Sequence, residues 1–124
     1  MVAKAGLLKL VTLTLLLIAT GSSHAQQELR KTFFKEADAA LAAAEIANAK
    51  LLSPRNYERG LKEYRDAETA LQRGRNIEVV RSNAADATEY LRAAAEKAEL
   101  AATALAQVMK SRQDAANARA PELS

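Results

Sequence analysis

Two pairs of carboxylates stand at helical spacing, Glu63 with Asp66 and Glu96 with Glu99, where a pair could share a cation or divide the roles of acid and base. Lys62, Arg59 and Lys97 lie beside them, which points instead to solvated ion pairs. The single histidine, His24, falls in a segment with the marks of an export leader, and there is no cysteine. The rest of the chain therefore lacks an imidazole base, a thiolate nucleophile and the usual ligands of zinc and other transition metals. No glycine-rich phosphate loop is present, and Gly74 has the position of a helix stop. Phe33, Phe34, Tyr57, Tyr64 and Tyr90 could form a platform for a sugar or a base, but their helical spacing points to packing in a core or subunit interface. Arg73, Arg75 and Arg81 make the one local basic patch. It could meet phosphate groups of lipid or lipopolysaccharide, yet arginine near a helix C-terminus also satisfies terminal carbonyls, and that role is the expectation. No catalytic residue, cofactor or metal site is expected, and the chain is expected not to be an enzyme.

The leader is residues 1–25: Lys4 and Lys9 supply a positive start, Leu10 to Ala19 an apolar stretch, and Ser23-His24-Ala25 a small-x-small cleavage site. The apolar run is about half of the roughly 20 residues that a membrane-spanning helix needs. Cleavage after Ala25 is expected, and with no cysteine the site is not of the lipoprotein type. Removing Lys4 and Lys9 from eighteen basic residues leaves sixteen against fifteen acidic ones, a net charge of +1 rather than +3. Such a balance gives no general attraction to nucleic acid, which is not expected as a partner. Residues 26–124 suffice for a single domain, but 25 of them are alanine, which buries little area per residue.

Alanine, leucine and long charged residues favour helix throughout, and no stretch alternates as a half-buried strand does. A first helix is expected over about 28–52, with Leu29, Phe33, Ala37, Ala40, Ala44, Ala47 and Leu51 on one face. Ser53 and Pro54 form an N-cap and first position for a second helix, about 54–73, which aligns Tyr57, Leu61, Tyr64 and Leu71 and stops at Gly74. Asn76 can cap a third helix over about 77–119, with Glu78 in its first turn and Pro121 ending it.

That third helix keeps a heptad. Ile77, Ala84, Leu91, Ala98 and Leu105 occupy one core position, and Val80, Ala87, Ala94, Ala101 and Val108 the other. The fold expected is all-α, an antiparallel helical hairpin or three-helix bundle, coiled-coil-like, whose third helix overhangs the others because it is about twice as long as the second. Ile77, Val80, Leu91, Leu105 and Val108 are the candidate packing interface, and Leu100 to Val108 is expected to lack cover within the chain. The phrase Glu45-Ile46-Ala47-Asn48-Ala49-Lys50 returns, altered, as Asp114-Ala115-Ala116-Asn117-Ala118-Arg119, again followed by proline. The repetition predicts that the last seven residues are the stub of a further helical unit, lost by truncation.

From Ser53 to Ala101 the pattern resembles an alanine-rich helical domain of unknown function from Gram-negative envelope proteins, found alone or ahead of an OmpA-like peptidoglycan-binding domain. The matching marks are the Ser53-Pro54 start, Tyr57 and Tyr64 a heptad apart, the Arg73-Gly74 turn, and an alanine-rich third helix ending in an Ala-Pro phrase. The resemblance implies a periplasmic location and brings no catalytic residues. This chain lacks an OmpA-like segment, so peptidoglycan binding does not carry over.

The expected function is that of a periplasmic structural or adaptor protein acting through helix packing, with its own copy (a homo-oligomer) or an envelope protein as partner. The alternative is a module that lays an amphipathic first helix, with Arg30, Lys31, Lys35 and the Phe33-Phe34 pair, on the membrane or cell-wall surface. Its weakness is the stretch from Ala37 to Ala47, far less apolar than a lipid-binding face.

Overall fold

Helix-favouring residues at every level of the sequence produce an all-α bundle. The computed structural model describes the backbone of residues 2–123 and the side chains of residues 24–119. It is about 93% helical, with no strand among the described residues. The order is α1 (Val2–Ile46), α2 (Ala49–Leu52), α3 (Pro54–Gln72) and α4 (Ile77–Leu123). Most of the leader expected over 1–25 lies outside the described side chains. Among the described residues, no helix is long and apolar enough to cross a membrane.

α4 is the spine, and α1 and α3 pack mainly on it rather than on each other. Phe34, Ala37, Tyr64, Ala67 and Ala70 meet Val80, Ala84 and Ala87 at one level. Ala40, Ala44, Ala49 and Tyr57 meet Leu91, Ala94, Ala95 and Ala98 at the next. The order of these contacts makes α3 antiparallel to α4 and α1 parallel to it. Alanine dominates both layers, so the helix axes come close and each large side chain has only small neighbours to clear.

The helix expected over 28–52 is in fact two. α1 stops at Ile46, Asn48 takes a left-handed conformation (φ 62°, ψ 36°), and the amides of Leu51 and Leu52 donate to the Asn48 carbonyl to start α2. Asparagine tolerates this region better than most residues, and the break resets the helical phase. Leu51, expected on the buried face, is 74% exposed, whereas Ala49 is buried and Leu52 packs on the core. In α1 itself Phe34 is the fully buried phenylalanine and Phe33 only half-buried, with Leu29 left exposed. Phe34, Ala37, Leu41 and Ala44 offer the same three-and-four spacing as the set expected from the sequence, one residue out of phase.

The turns follow local chemistry. α3 ends in a Schellman arrangement: Gly74 (φ 63°) donates to Leu71, and Arg75 donates across it to Ala70 at 2.9 Å. The Asn76 side chain accepts from the Glu78 amide at 3.0 Å and caps α4. Ser53 departs from expectation, because its hydroxyl makes no capping bond. Its backbone (φ −142°, ψ 60°) lies outside the extended region that aims such a hydroxyl at the first amides, so Ser53 serves through its carbonyl, which accepts from Tyr57. α4 also runs past Arg119 to Leu123, so Pro121 lies in its last turn instead of ending it. Proline forfeits one donor there, and only two helical residues follow it.

Candidate helix-packing interface

The five residues singled out from the heptad divide into two groups. Val80 and Leu91 are fully buried inside the chain. They hold α4 to α1 and α3 and cannot also face a partner. Leu105 and Val108, on the same seam, are 53% and 51% exposed, and Ile77 is exposed at the first turn of α4. Cover along the seam ends between Ala98, which is fully buried, and Ala101, which is half-buried; every described residue from 102 to 119 is exposed. Leu100 and Met109 flank the bare part of the seam, both largely exposed.

A second apolar cluster stands where α4 leaves the bundle. Ile46 is 88% exposed at the end of α1, and Leu51 sits beyond the Asn48 break. The neighbouring Ala44 and Ala49 pack at the level of Ala94 to Ala98 of α4. The corner therefore lies beside the point where the bare helix begins.

The opposite end of the bundle is closed by a polar clasp that the sequence pattern did not announce. Arg30 donates to the Tyr64 hydroxyl at 2.8 Å and pairs with Glu68 at 2.9 Å, while the hydroxyl donates to Asp38. Tyr64 meets Phe34 edge to face, centroids 5.3 Å apart, and Arg30 lies 4.8 Å above the Phe34 ring. Burial pushes the Tyr64 phenol up to about 12, and the hydrogen bond to Asp38 adds to the shift. The available signal was spacing at i, i+4: Arg30, Phe34 and Asp38 on one helix, Tyr64 and Glu68 on the next.

Arginine over an aromatic ring recurs around the bundle. Arg30 of α1 faces Tyr64 of α3, Arg59 of α3 lies 4.9 Å from the Tyr90 ring of α4, and Arg81 of α4 lies 5.5 Å from the Phe33 ring of α1. Each helix thus lends one guanidinium to the next, and the aromatic residues are packing elements. Arg81 also pairs with Glu78, which removes it from the basic patch expected with Arg73 and Arg75. Arg30, Phe33 and Phe34, the basis of the surface-binding alternative, are all engaged inside the bundle.

Gly60 was also missed. It is buried in α3, and a Cβ there would come within 2.6 Å of the Leu91 Cγ and 3.2 Å of the Leu91 backbone nitrogen. The glycine is what lets α3 lie against α4 at Leu91. Of the expected carboxylate pairs, Asp66 binds Lys62 at 2.9 Å on the surface, and Glu96 lines an open groove of about 380 Å³ with Glu36, Glu89 and Arg92. Among the described residues, no group of three or more histidine, cysteine or acidic side chains could hold a metal ion. The two copies of the repeated phrase fold differently: Asn48 breaks a helix, whereas Asn117 lies within α4 and accepts from Gln113.

No family model, curated protein or solved structure matches the chain.

Proposed function

We propose that this chain is a non-catalytic periplasmic structural or adaptor protein that acts by docking the exposed end of α4 against another helix. One observation carries the reading: the seam that buries Val80 and Leu91 continues in register to Leu105 and Val108, where it is bare. An apolar seam in heptad register is the chemistry of a helix partner, and its extension beyond the bundle has no use in folding the monomer. Export is supported by the leader-like start and by the resemblance to envelope domains. Intact-mass measurement of the exported protein is expected to place its first residue at Gln26, and retention of Met1 would rule out the periplasmic location. The docking role is tested by photo-crosslinking in the cell from probes at positions 105 and 103. Adducts are expected from 105, on the seam, and none from Thr103, on the far side; equal yields would mean that the seam recognises nothing.

A further inference from the structure

The occupant of the bare seam follows from what stands along it. We infer that it is a second copy of this chain, packed antiparallel through residues 101–119 of α4, with each tail riding over the partner's Ile46–Leu51 corner. This inference rests on the docking role proposed above and names its partner.

The first reason is Arg112. Seven residues beyond Leu105, it holds the same core position of the heptad. A parallel pair in register would set two guanidinium groups against each other in the seam, the arrangement of like charges that coiled coils avoid. An antiparallel pair centred between Ala106 and Gln107 sets Leu105 against the partner's Val108 and Arg112 against the partner's Ala101, whose small side chain leaves room for the arginine stem. Met109 then falls beside the partner's Ala102. Large residues meet small ones throughout, as close packing requires.

Charge agrees with this direction. The part of α4 nearest the bundle carries Glu96 and Glu99, and the far part carries Arg112 and Arg119 beyond the Lys110–Asp114 pair. Antiparallel packing brings the far arginines to the partner's near glutamates, whereas parallel packing matches like with like.

Area decides whether one helix is enough. The exposed stretch from Ala101 to Arg119 is about 27 Å long, and a stripe of helix about 10 Å wide over that length presents roughly 270 Å². A stable interface needs about 800 Å² from each partner. A lone helix laid in the seam therefore falls short. An antiparallel copy adds two further patches, because the segment from Arg112 to Arg119 of each chain runs alongside the partner's α4 at the level of Ala101 to Ala94. There α2 already fills the seam, so the tail lies over Ile46 and Leu51, the two most exposed large apolar residues.

The chain has no cysteine, so introduced pairs report the geometry directly. Light scattering after size exclusion at about 100 micromolar is expected to give twice the protomer mass. Under oxidation, Leu105→Cys protein mixed with Val108→Cys protein is expected to form the mixed disulfide, and Leu51→Cys with Ala115→Cys a second one. The latter can form only between chains: Ala115 stands about 25 Å along the helix from Ala98, at the corner's own level, and a disulfide spans Cα atoms roughly 4.4–6.8 Å apart. Leu105→Glu and Val108→Glu are each expected to give a monomer with unchanged helicity by circular dichroism. A wild-type monomer at that concentration overturns the inference, as does a Leu105→Cys homodisulfide without the mixed one. If the purified protein is monomeric but position 105 still crosslinks to another envelope protein in the cell, the second copy is refuted and the docking role stands. If neither occurs, both fall.

Discussion

The closed end of the bundle, around Arg30, Tyr64 and Val80, and the open end, around Ile46, Leu51 and Leu105, are built from similar residues and treated in opposite ways. At the closed end a buried phenylalanine, a tyrosine and three charged side chains satisfy one another between α1 and α3. At the open end leucine, isoleucine and valine face solvent, and Lys110–Asp114 is a surface pair within one helix. A heptad therefore marks where a helix can pack. Whether it is packed depends on how far the neighbouring helices reach, and α3, at 19 residues, is far shorter than α4, at 47.

Substitutions at the two ends of one seam test this contrast directly. Leu91→Ala, in the enclosed part, is expected to cost about 2 to 5 kcal/mol in chemical denaturation, because alanine-rich surroundings cannot close the cavity. Gly60→Ala drives a methyl group into Leu91 and is expected to cost about 1 to 3 kcal/mol despite alanine's better helix propensity. Combined with Leu91→Ala it should cost less than the sum, since the added methyl then enters the vacated space. Additive costs would show that the two helices do not approach as described.

Tyr64→Phe removes the hydroxyl between Arg30 and Asp38 and is expected to cost about 1 kcal/mol near neutral pH. It also changes the alkaline limb of the stability curve. An ordinary phenol titrates near about 10, and in the folded chain Tyr64 holds its proton up to about 12. Its contribution is therefore fully present below the unfolded value and is lost as pH rises through the folded one. Wild type should lose this stability across that window and Tyr64→Phe should not; parallel curves would break the assignment. The smallest effect belongs to the open end. Leu105→Ala and Glu89→Ala should each change protomer stability, measured at low concentration, by under about 0.5 kcal/mol. A Leu105→Ala cost equal to that of Leu91→Ala would abolish the distinction between the ends.

The sequence made the helical class, the Gly74 stop, the Asn76 cap and the α4 seam legible, because each depends on residues near one another in the chain. The break at Asn48 was not, since the repeated phrase that breaks at Asn48 stays helical at Asn117. The difference lies in position: Asn48 precedes the turn into α3, and nothing packs on Asn117, which is exposed. The choice of Phe34 over Phe33 was also hidden, because two phases of α1 offered equal periodicity and only contact with Tyr64 and Val80 separates them. Gly60 and the Arg30–Tyr64–Asp38 clasp involve residues far apart in sequence, and periodicity within one helix carries no information about them. Of the candidate interface, the seam was legible at all five positions, but not the partition into Val80 and Leu91 within the chain and Leu105 and Val108 outside it.

The parallel course of α1 and α4 has a mechanical consequence. The chain enters the bundle near Arg30 and leaves it near Ala101, at opposite ends, so tension applied along the rod slides α1 past α4 over the whole row from Phe34 to Ala98. All the interlocked side chains must then yield together, whereas an antiparallel hairpin pulled from adjacent ends unzips one contact at a time. The molecule is thus a strut that resists stretching through two tiers of small residues, with the Leu91 side chain seated over Gly60 as the catch between them.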